Sequence, residues 1–88
     1  MKVAYRKRFL KDLASVPANF RGPIERFVFE ELPRADSLQS TGKIEKLKGH
    51  ATFFKARFGD YRVGLSITDD TVTLERVLNR KEIYRKFP

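Results

Sequence analysis

The sequence contains no cysteine and only one histidine, His50. The lack of cysteine excludes a disulfide framework and a thiolate metal site. A single histidine cannot build a His/Cys/carboxylate cluster, and a lone histidine beside Gly49 in a polar segment is more often a surface residue than a ligand or a base. No Gly-rich phosphate loop is present either. The sequence therefore predicts no metal ion and no cofactor.

Long apolar runs are also missing from the chain. No window approaches the roughly 20 apolar residues that a membrane-spanning helix requires. The N-terminal stretch MKVAYRKRFL is charged, but no apolar segment follows it, so it does not match a secretory signal peptide. With the absence of cysteine, these features predict a soluble cytoplasmic protein without membrane contact.

What the chain does have is apolar residues and positive charge. Its 88 residues are 41% hydrophobic and include eight Phe, which favours one folded domain over residues 1–88. Lysine and arginine together number 19 against 11 acidic residues, a net charge of +8. Such an excess is typical of domains that bind a polyanion or an acidic protein. The alternative is that the basic residues only solvate the surface.

The hydrophobic pattern predicts an α+β domain with the element order β-α-α-β-β-β. Residues 2–5 alternate like a strand, and two helical stripes follow. The first stripe consists of Phe9, Leu10, Leu13 and Val16, and the second of Phe20, Ile24, Phe27, Val28 and Leu32. Pro17 separates the two helices, the second helix begins at or is kinked near Pro23, and Pro33 ends it. We expect the helical hairpin to pack on one face of a small, mainly antiparallel sheet.

The second half of the chain predicts a three-stranded antiparallel meander. Residues 34–50 read as a polar connection from which Ile44 and Leu47 dock onto the body. From residue 53 the period becomes two, with turns at Gly59-Asp60 and Asp69-Asp70. The inward residues of the last strand are predicted to be Val72, Leu74 and Leu78, with Val77 on the other face.

Three cations of this meander are predicted to lie on one face of the sheet. Because strand side chains alternate, Lys55, Arg57 and Arg62 point away from the apolar residues beside them. Like charges on neighbouring strands repel, and nothing in the local fold requires them. A phosphate backbone would offset that repulsion. The alternative is an edge whose charges prevent aggregation.

The C-terminal tail places aromatic residues among basic ones, a combination that suits single-stranded nucleic acid. We expect Tyr84 to stack on a base and Phe87 to attach the chain end to the core. The alternative is that both rings only attach the chain end. Further candidate nucleic-acid contacts are Lys46, Lys48, Lys81, Arg85 and Lys86.

The element order, the run FKARFGDYRVGL (residues 54–65) and the ending ERVLNRKEIYRKFP (residues 75–88) resemble the RelE/ParE superfamily of bacterial toxin–antitoxin toxins. The resemblance is to its RelE-like branch, whose members enter the ribosomal A site and cut mRNA there. It implies that five residues occupy the catalytic positions: Lys55, Arg57, Arg62, Arg80 and Tyr84.

The resemblance also implies a role for each of these residues. The ribose 2′-OH would attack the adjacent phosphate and leave a cyclic phosphate, with no metal ion. Arg62, assisted by Lys55, would stabilise charge on the phosphorus, and Tyr84 would orient a base. Arg80, with Lys81 as its alternate, would stabilise the leaving 5′-oxygen.

Two departures from the family pattern leave the general base open. Relatives often have lysine where this chain has Arg57, and arginine is a poor base. Many have histidine where this chain has Asn79. Lys55 takes the role if its ammonium group loses its proton among cationic neighbours, and otherwise ribosomal RNA assists.

The resemblance leaves two other functions open and implies a partner. One is a ParE-like poison of DNA gyrase, and the other is an inactive relative that serves as a partner-binding module. All three readings imply a cognate antitoxin, RelB-like or other, whose acidic or amphipathic segment covers the basic residues. The remaining partners are the ribosome and mRNA, with DNA bound only through the antitoxin.

Overall fold

A five-stranded sheet in the order β1-β5-β4-β3-β2 organises the computed structural model, which describes residues 1–88. Its strands are β1 (Lys2–Tyr5), β2 (Ile44–Lys46), β3 (Phe53–Phe58), β4 (Tyr61–Thr68) and β5 (Thr71–Asn79). Only β1 and β5 pair in parallel, and the other pairs are antiparallel. The predicted α+β class with a mainly antiparallel sheet is confirmed.

The helices lie between β1 and β2 in the chain, apart from one turn at the C-terminus. They are α1 (Lys7–Ala14), α2 (Ala18–Arg26), a π-helical turn (Phe27–Glu31), α3 (Leu32–Arg34), a 3₁₀ turn (Gln39–Thr41) and α4 (Ile83–Lys86). None of these helices is long and apolar enough to cross a bilayer.

The main core fills the space between the helical hairpin and one face of the sheet. Helix residues Phe9, Ile24 and Phe27 are fully buried against the strand residues Val63 and Leu65. Ala56 of β3 is buried in the same cluster, so the apolar residues beside the predicted cations do face the helices. Leu10, which the helical stripe placed inside, is 43% exposed, because the packed face of α1 is narrower than the stripe.

The second helical segment is longer than its prolines suggest. It begins at Ala18, directly after Pro17, and it continues through Pro23 and past Pro33 to Arg34. The prediction that Pro33 ends it is wrong by one residue. Through the π-helical turn, Leu32 donates to the Phe27 carbonyl five residues back. In that pattern Pro33 would be the donor to Val28, and the Tyr5 hydroxyl supplies the missing hydrogen bond at 2.7 Å.

The polar connection contains a strand that the sequence does not predict. Ile44–Lys46 pairs with β3 and forms the outer edge of the sheet, with Ile44 opposite Ala56 and Glu45 opposite Lys55. Three residues are too few for an alternating pattern to be recognised. Segment 34–50 thus contributes a strand to the sheet, and this strand places the Glu45 carboxylate beside Lys55.

A β-bulge in β5 reverses part of the predicted pattern. Leu65 pairs with Leu74, whereas Gly64 pairs with Arg76, so one extra residue enters β5 at Glu75. The bulge turns Val77 into the core, where it is 1% exposed. Leu78 joins a small cluster on the opposite face. The prediction that Leu78 faces the main core and Val77 faces away is therefore wrong.

Candidate active site

The sheet face opposite the helical hairpin carries the predicted cations, and we call it the basic face, defined by Lys55, Arg57 and Arg62. Lys55 pairs with Gly64 across the β3–β4 ladder, and Arg57 lies directly opposite Arg62. Because paired residues share a face, all three side chains leave the sheet on the same side. The structure thus brings together the three cations in the predicted arrangement.

The C-terminal turn α4 covers part of this face. Ile83 and Phe87 are nearly fully buried there against Phe53 and Leu78. Gly64 provides the space, because a Cβ on it would lie 2.7 Å from the Phe87 ring. Phe87 therefore anchors the chain end, as predicted, but it does so on the basic face and not in the main core.

This anchoring places Tyr84 beside Lys55. The Lys55 Nζ donates to the Tyr84 hydroxyl at 3.0 Å and lies 5.3 Å from the centre of the ring. The hydrogen bond from Lys55, together with the charges of Lys55 and Arg62, lowers the pKa of Tyr84 below its ordinary value near 10. The ring itself is 57% exposed, so one side of it is open to a ligand.

Arg62 is held in place by the backbone of the turn between β3 and β4. Its guanidinium donates to the carbonyls of Gly59 at 2.6 Å and Tyr61 at 3.0 Å, and the residue is only 9% exposed. Both bonds use one terminal nitrogen, which leaves the other guanidinium donors for an anion. Arg57, opposite, is exposed and forms no ion pair.

Arg80 reaches the same turn from the end of β5. Its backbone N–H donates to the Asp60 carbonyl at 2.8 Å, and its side chain lies 4.0 Å from the Asp60 carboxylate. Both side chains are more than half exposed, so this ion pair is weak. Asn79 accepts a hydrogen bond from the Lys81 N–H at 3.0 Å and so shapes the turn that carries Arg80.

A carboxylate that the sequence analysis did not select lies among these cations. Glu45 of β2 pairs with Lys55 and lines a small cavity of about 20 Å³ together with Lys43, Lys55, Arg57 and Arg62. No acidic side chain other than Glu45 lines this cavity. The three-residue strand gives no recognisable sequence signal for Glu45, and it is the pairing of β2 with β3 that places this carboxylate on the face opposite the half-buried Ile44.

The remaining candidate residues are spread over other surfaces. Lys46 pairs with Phe54 and so leaves the sheet on the side of the hairpin, whereas Lys48 lies in the loop after β2. Lys86 lies on the side of α4 that faces α1, where it pairs with Glu82 at 3.6 Å. Lys81 and Arg85 are exposed, as is His50. No three His, Cys, Asp or Glu side chains gather as possible metal ligands.

The arrangement has the parts that a phosphate-bearing ligand needs. It offers cations on two neighbouring strands, an arginine fixed in direction, an exposed aromatic ring and one carboxylate. Fixed cations stabilise negative charge that develops on a phosphate better than mobile ones, because they need no reorganisation.

Known proteins similar to this chain are toxins and toxin–antitoxin complexes, although no protein-family model matches it. Toxin RelE3 of Methanocaldococcus jannaschii is 40% identical over 89 residues, which cover 100% of both chains. The RelB-RelE antitoxin-toxin complex from Methanococcus jannaschii contains a chain with a TM-score of 0.80 and 37% identity, covering 97% of this chain and 99% of that one. A chain of the toxin–antitoxin complex RelBE2 of Mycobacterium tuberculosis has a TM-score of 0.69 and 28% identity, with 90% and 96% covered. On the 40% identity to a curated toxin over its full length, the chain belongs to the RelE toxin family.

Proposed function

We propose that this chain is the toxin of a toxin–antitoxin pair and acts as a ribosome-dependent endoribonuclease that cleaves mRNA in the A site. Membership of the RelE family supports the toxin role. The observation that carries the nuclease reading is the convergence of Lys55, Arg62 and Tyr84 on one face beside Glu45.

In the proposed reaction the ribose 2′-oxygen attacks the adjacent phosphorus while the bond from phosphorus to the 5′-oxygen breaks. The products are a 2′,3′-cyclic phosphate and a 5′-hydroxyl end. Arg62, preset by its two backbone carbonyls, donates to the phosphoryl oxygens as their charge rises. Arg80 stabilises the leaving 5′-oxygen, with Lys81 as its alternate, and that oxygen takes its proton from water.

Glu45 is the proposed general base that removes the 2′-OH proton. The hydrogen bond to Tyr84 places the Lys55 side chain beside the aromatic ring, where we assign it to stabilise the phosphate charge and not to remove the proton. Arg57 is always protonated and cannot accept a proton. A carboxylate between these cations accepts the proton without any histidine in the site.

The proposed partner of the free toxin is an acidic antitoxin segment. The relatives from Methanococcus jannaschii and Mycobacterium tuberculosis are toxin–antitoxin complexes. An acidic chain laid across the basic face would neutralise Lys55, Arg57 and Arg62 and exclude RNA from Tyr84. Titration with the product of the adjacent gene should give a complex that loses cleavage activity, and a toxin that remains active when saturated would contradict this blocking mode.

Induced expression of variants tests the function and distinguishes the loss of a site residue from the loss of the folded structure. We expect Arg62→Ala and Tyr84→Ala to abolish growth arrest and mRNA cleavage. Arg62→Ala removes a transition-state donor, which lowers turnover about 10²–10³-fold, and Tyr84→Ala removes the ring that orients the base. Arg26→Ala, an exposed arginine on α2, serves as the control and should remain toxic. Thermal unfolding of each purified variant shows whether it folds.

Two outcomes of that experiment would contradict the nuclease reading. The first is full toxicity of a folded Tyr84→Ala protein. The second is arrest with chromosomal DNA breaks and intact mRNA, which would indicate a gyrase poison.

A further inference from the structure

The cleft between α1 and the edge of β5 carries a second group of cations. Lys7, Arg8 and Lys11 line it from α1, and Lys86 lines it from α4. We call it the α1 groove, defined by these four residues. Its volume is about 650 Å³, and an adjoining depression of about 510 Å³ shares three of them, Lys7, Arg8 and Lys86. None of these residues contacts Tyr84 or Arg62 by a hydrogen bond.

The carboxylates of this region are already occupied by its own cations. The ion pairs are Asp12–Arg76, Glu75–Arg6 and Glu82–Lys86. The first has two hydrogen bonds, at 2.8 and 3.1 Å, and its side chains are only 12% and 14% exposed. Lys7, Arg8 and Lys11 therefore have no acidic partner.

The unpaired cations repel one another within one helix. Lys7 and Lys11 are four residues apart and share a face of α1, where like charges destabilise the helix. No acidic residue occurs in the first turn to offset them. An external anion would remove this repulsion.

The lining of the groove fits nucleic acid better than protein. Four of its thirteen lining residues are hydrophobic, and all of the others are charged or polar. The centres of protein–protein interfaces are depleted of lysine, whereas nucleic-acid interfaces are polar and strongly positive. The groove therefore favours a phosphodiester backbone over an acidic peptide.

The position of α4 connects the groove to the proposed cleavage site. Tyr84 and Lys86 are two residues apart on α4, so their side chains point roughly 200° apart around it. One side of α4 thus faces Lys55, and the other faces the α1 groove. RNA that enters the site at Tyr84 would have neighbouring phosphates within reach of the groove.

We propose that the α1 groove is a second RNA-binding surface, which holds the phosphate backbone outside the cleavage site and anchors the toxin on its RNA. This proposal rests on the proposed function, since it assumes an RNA substrate. The groove contributes to affinity and not to the chemical step, because none of its residues touches the reacting atoms.

The test compares Lys7→Gln/Lys11→Gln with Arg26→Gln/Arg34→Gln, which removes the same charge from exposed sites on α2 and α3. The probe is a fluorescent RNA hairpin with a single-stranded extension, and binding is measured by anisotropy from low to high salt. We expect the groove variant to bind roughly tenfold more weakly, with a salt slope smaller by about 2, one unit for each lysine. The control should bind within about twofold of the unmodified protein.

Ribosome-dependent cleavage supplies a second readout. The groove variant should raise KM and leave kcat unchanged, since only binding is affected. Equal losses in both double variants would show a general charge effect and overturn the proposal. A groove variant that binds RNA normally but no longer binds antitoxin would also overturn the proposal, because the groove would then be a protein-binding site. If the unmodified protein binds the hairpin through the groove but cleaves no mRNA, the nuclease reading fails and the groove assignment stands.

Discussion

At the scale of single residues, the site is distinguished by which side chains are fixed and which are open. Arg62 is nearly buried and is held by two carbonyls, whereas Tyr84 and Glu45 are exposed. The sequence identified the cations because alternation predicts the face of each strand residue. The sequence could not identify Glu45, because its position depends on the pairing of β3 with β2, a strand too short to be recognised in a polar segment.

Replacement of Glu45 by glutamine tests the proposed base. Glutamine keeps the size of the side chain but cannot accept a proton, so single-turnover cleavage should fall about 10²–10⁴-fold. RNA binding should be unchanged or tighter, because one negative charge is removed from a cationic site. Glu25→Gln on the exposed side of α2 is the control. A Glu45→Gln protein with normal cleavage would assign the base to another group or to ribosomal RNA.

The Tyr84 hydroxyl reports the charge of Lys55. NMR titration of the phenol carbon should give Tyr84 a pKa below 10, and Lys55→Met should raise it again. Because the folded pKa is depressed, ionisation of Tyr84 stabilises the fold. That contribution is fully present above the unfolded pKa and is lost as pH falls through the folded pKa. An unchanged Tyr84 pKa in Lys55→Met would contradict the hydrogen bond as its cause.

At the scale of elements, the position of α4 decides the shape of the site. The turn packs where it does because Gly64 has no side chain and leaves room for the buried ring of Phe87. From the sequence, Phe87 was expected to anchor the chain end, but the face on which it lies was not predictable. The bulge at Glu75 was not predictable from the sequence either, because one extra residue does not change the composition of β5 recognisably.

Alanine at Gly64 should displace α4. The added Cβ would overlap the Phe87 ring, and overpacking of this kind destabilises a fold by about 1–3 kcal/mol. Cleavage should fall further than stability alone explains, because Tyr84 moves with α4. Gly22→Ala in α2 is the control: a Cβ added there meets no heavy atom within 4 Å outside its own helix and chain neighbours. Because Pro23 follows and offsets the helix-propensity gain of alanine, Gly22→Ala should change the free energy of unfolding less than Gly64→Ala does. Thermal and urea unfolding measure both, and equal stability of the two variants would contradict the proposed seat of α4.

At the scale of the whole molecule, alternation and helical spacing were enough to predict the class, the helical hairpin and the basic face. These features depend on patterns of five or more residues within one segment. The edge strand β2, the bulge in β5 and the position of α4 depend on contacts between different segments of the chain, which a pattern within one segment does not predict. The sequence therefore predicts the cations of the site but not its carboxylate, Glu45.

The positive charge also acts over the whole molecule. With a net charge of +8, the proposed associations with RNA and with an acidic antitoxin are both electrostatically favoured, so both should weaken as salt is raised. What distinguishes a nuclease from a general RNA binder is the arrangement of Arg62, Tyr84 and Glu45, and not the charge itself.

The most direct measurement is cleavage of a defined mRNA by the purified toxin, with and without programmed ribosomes, with both new ends mapped. We predict cuts only on ribosomes, within the A-site codon, that leave a 2′,3′-cyclic phosphate and a 5′-hydroxyl. A folded protein that cuts in neither condition, or that cuts free RNA as well as ribosome-bound RNA, would contradict the proposed function.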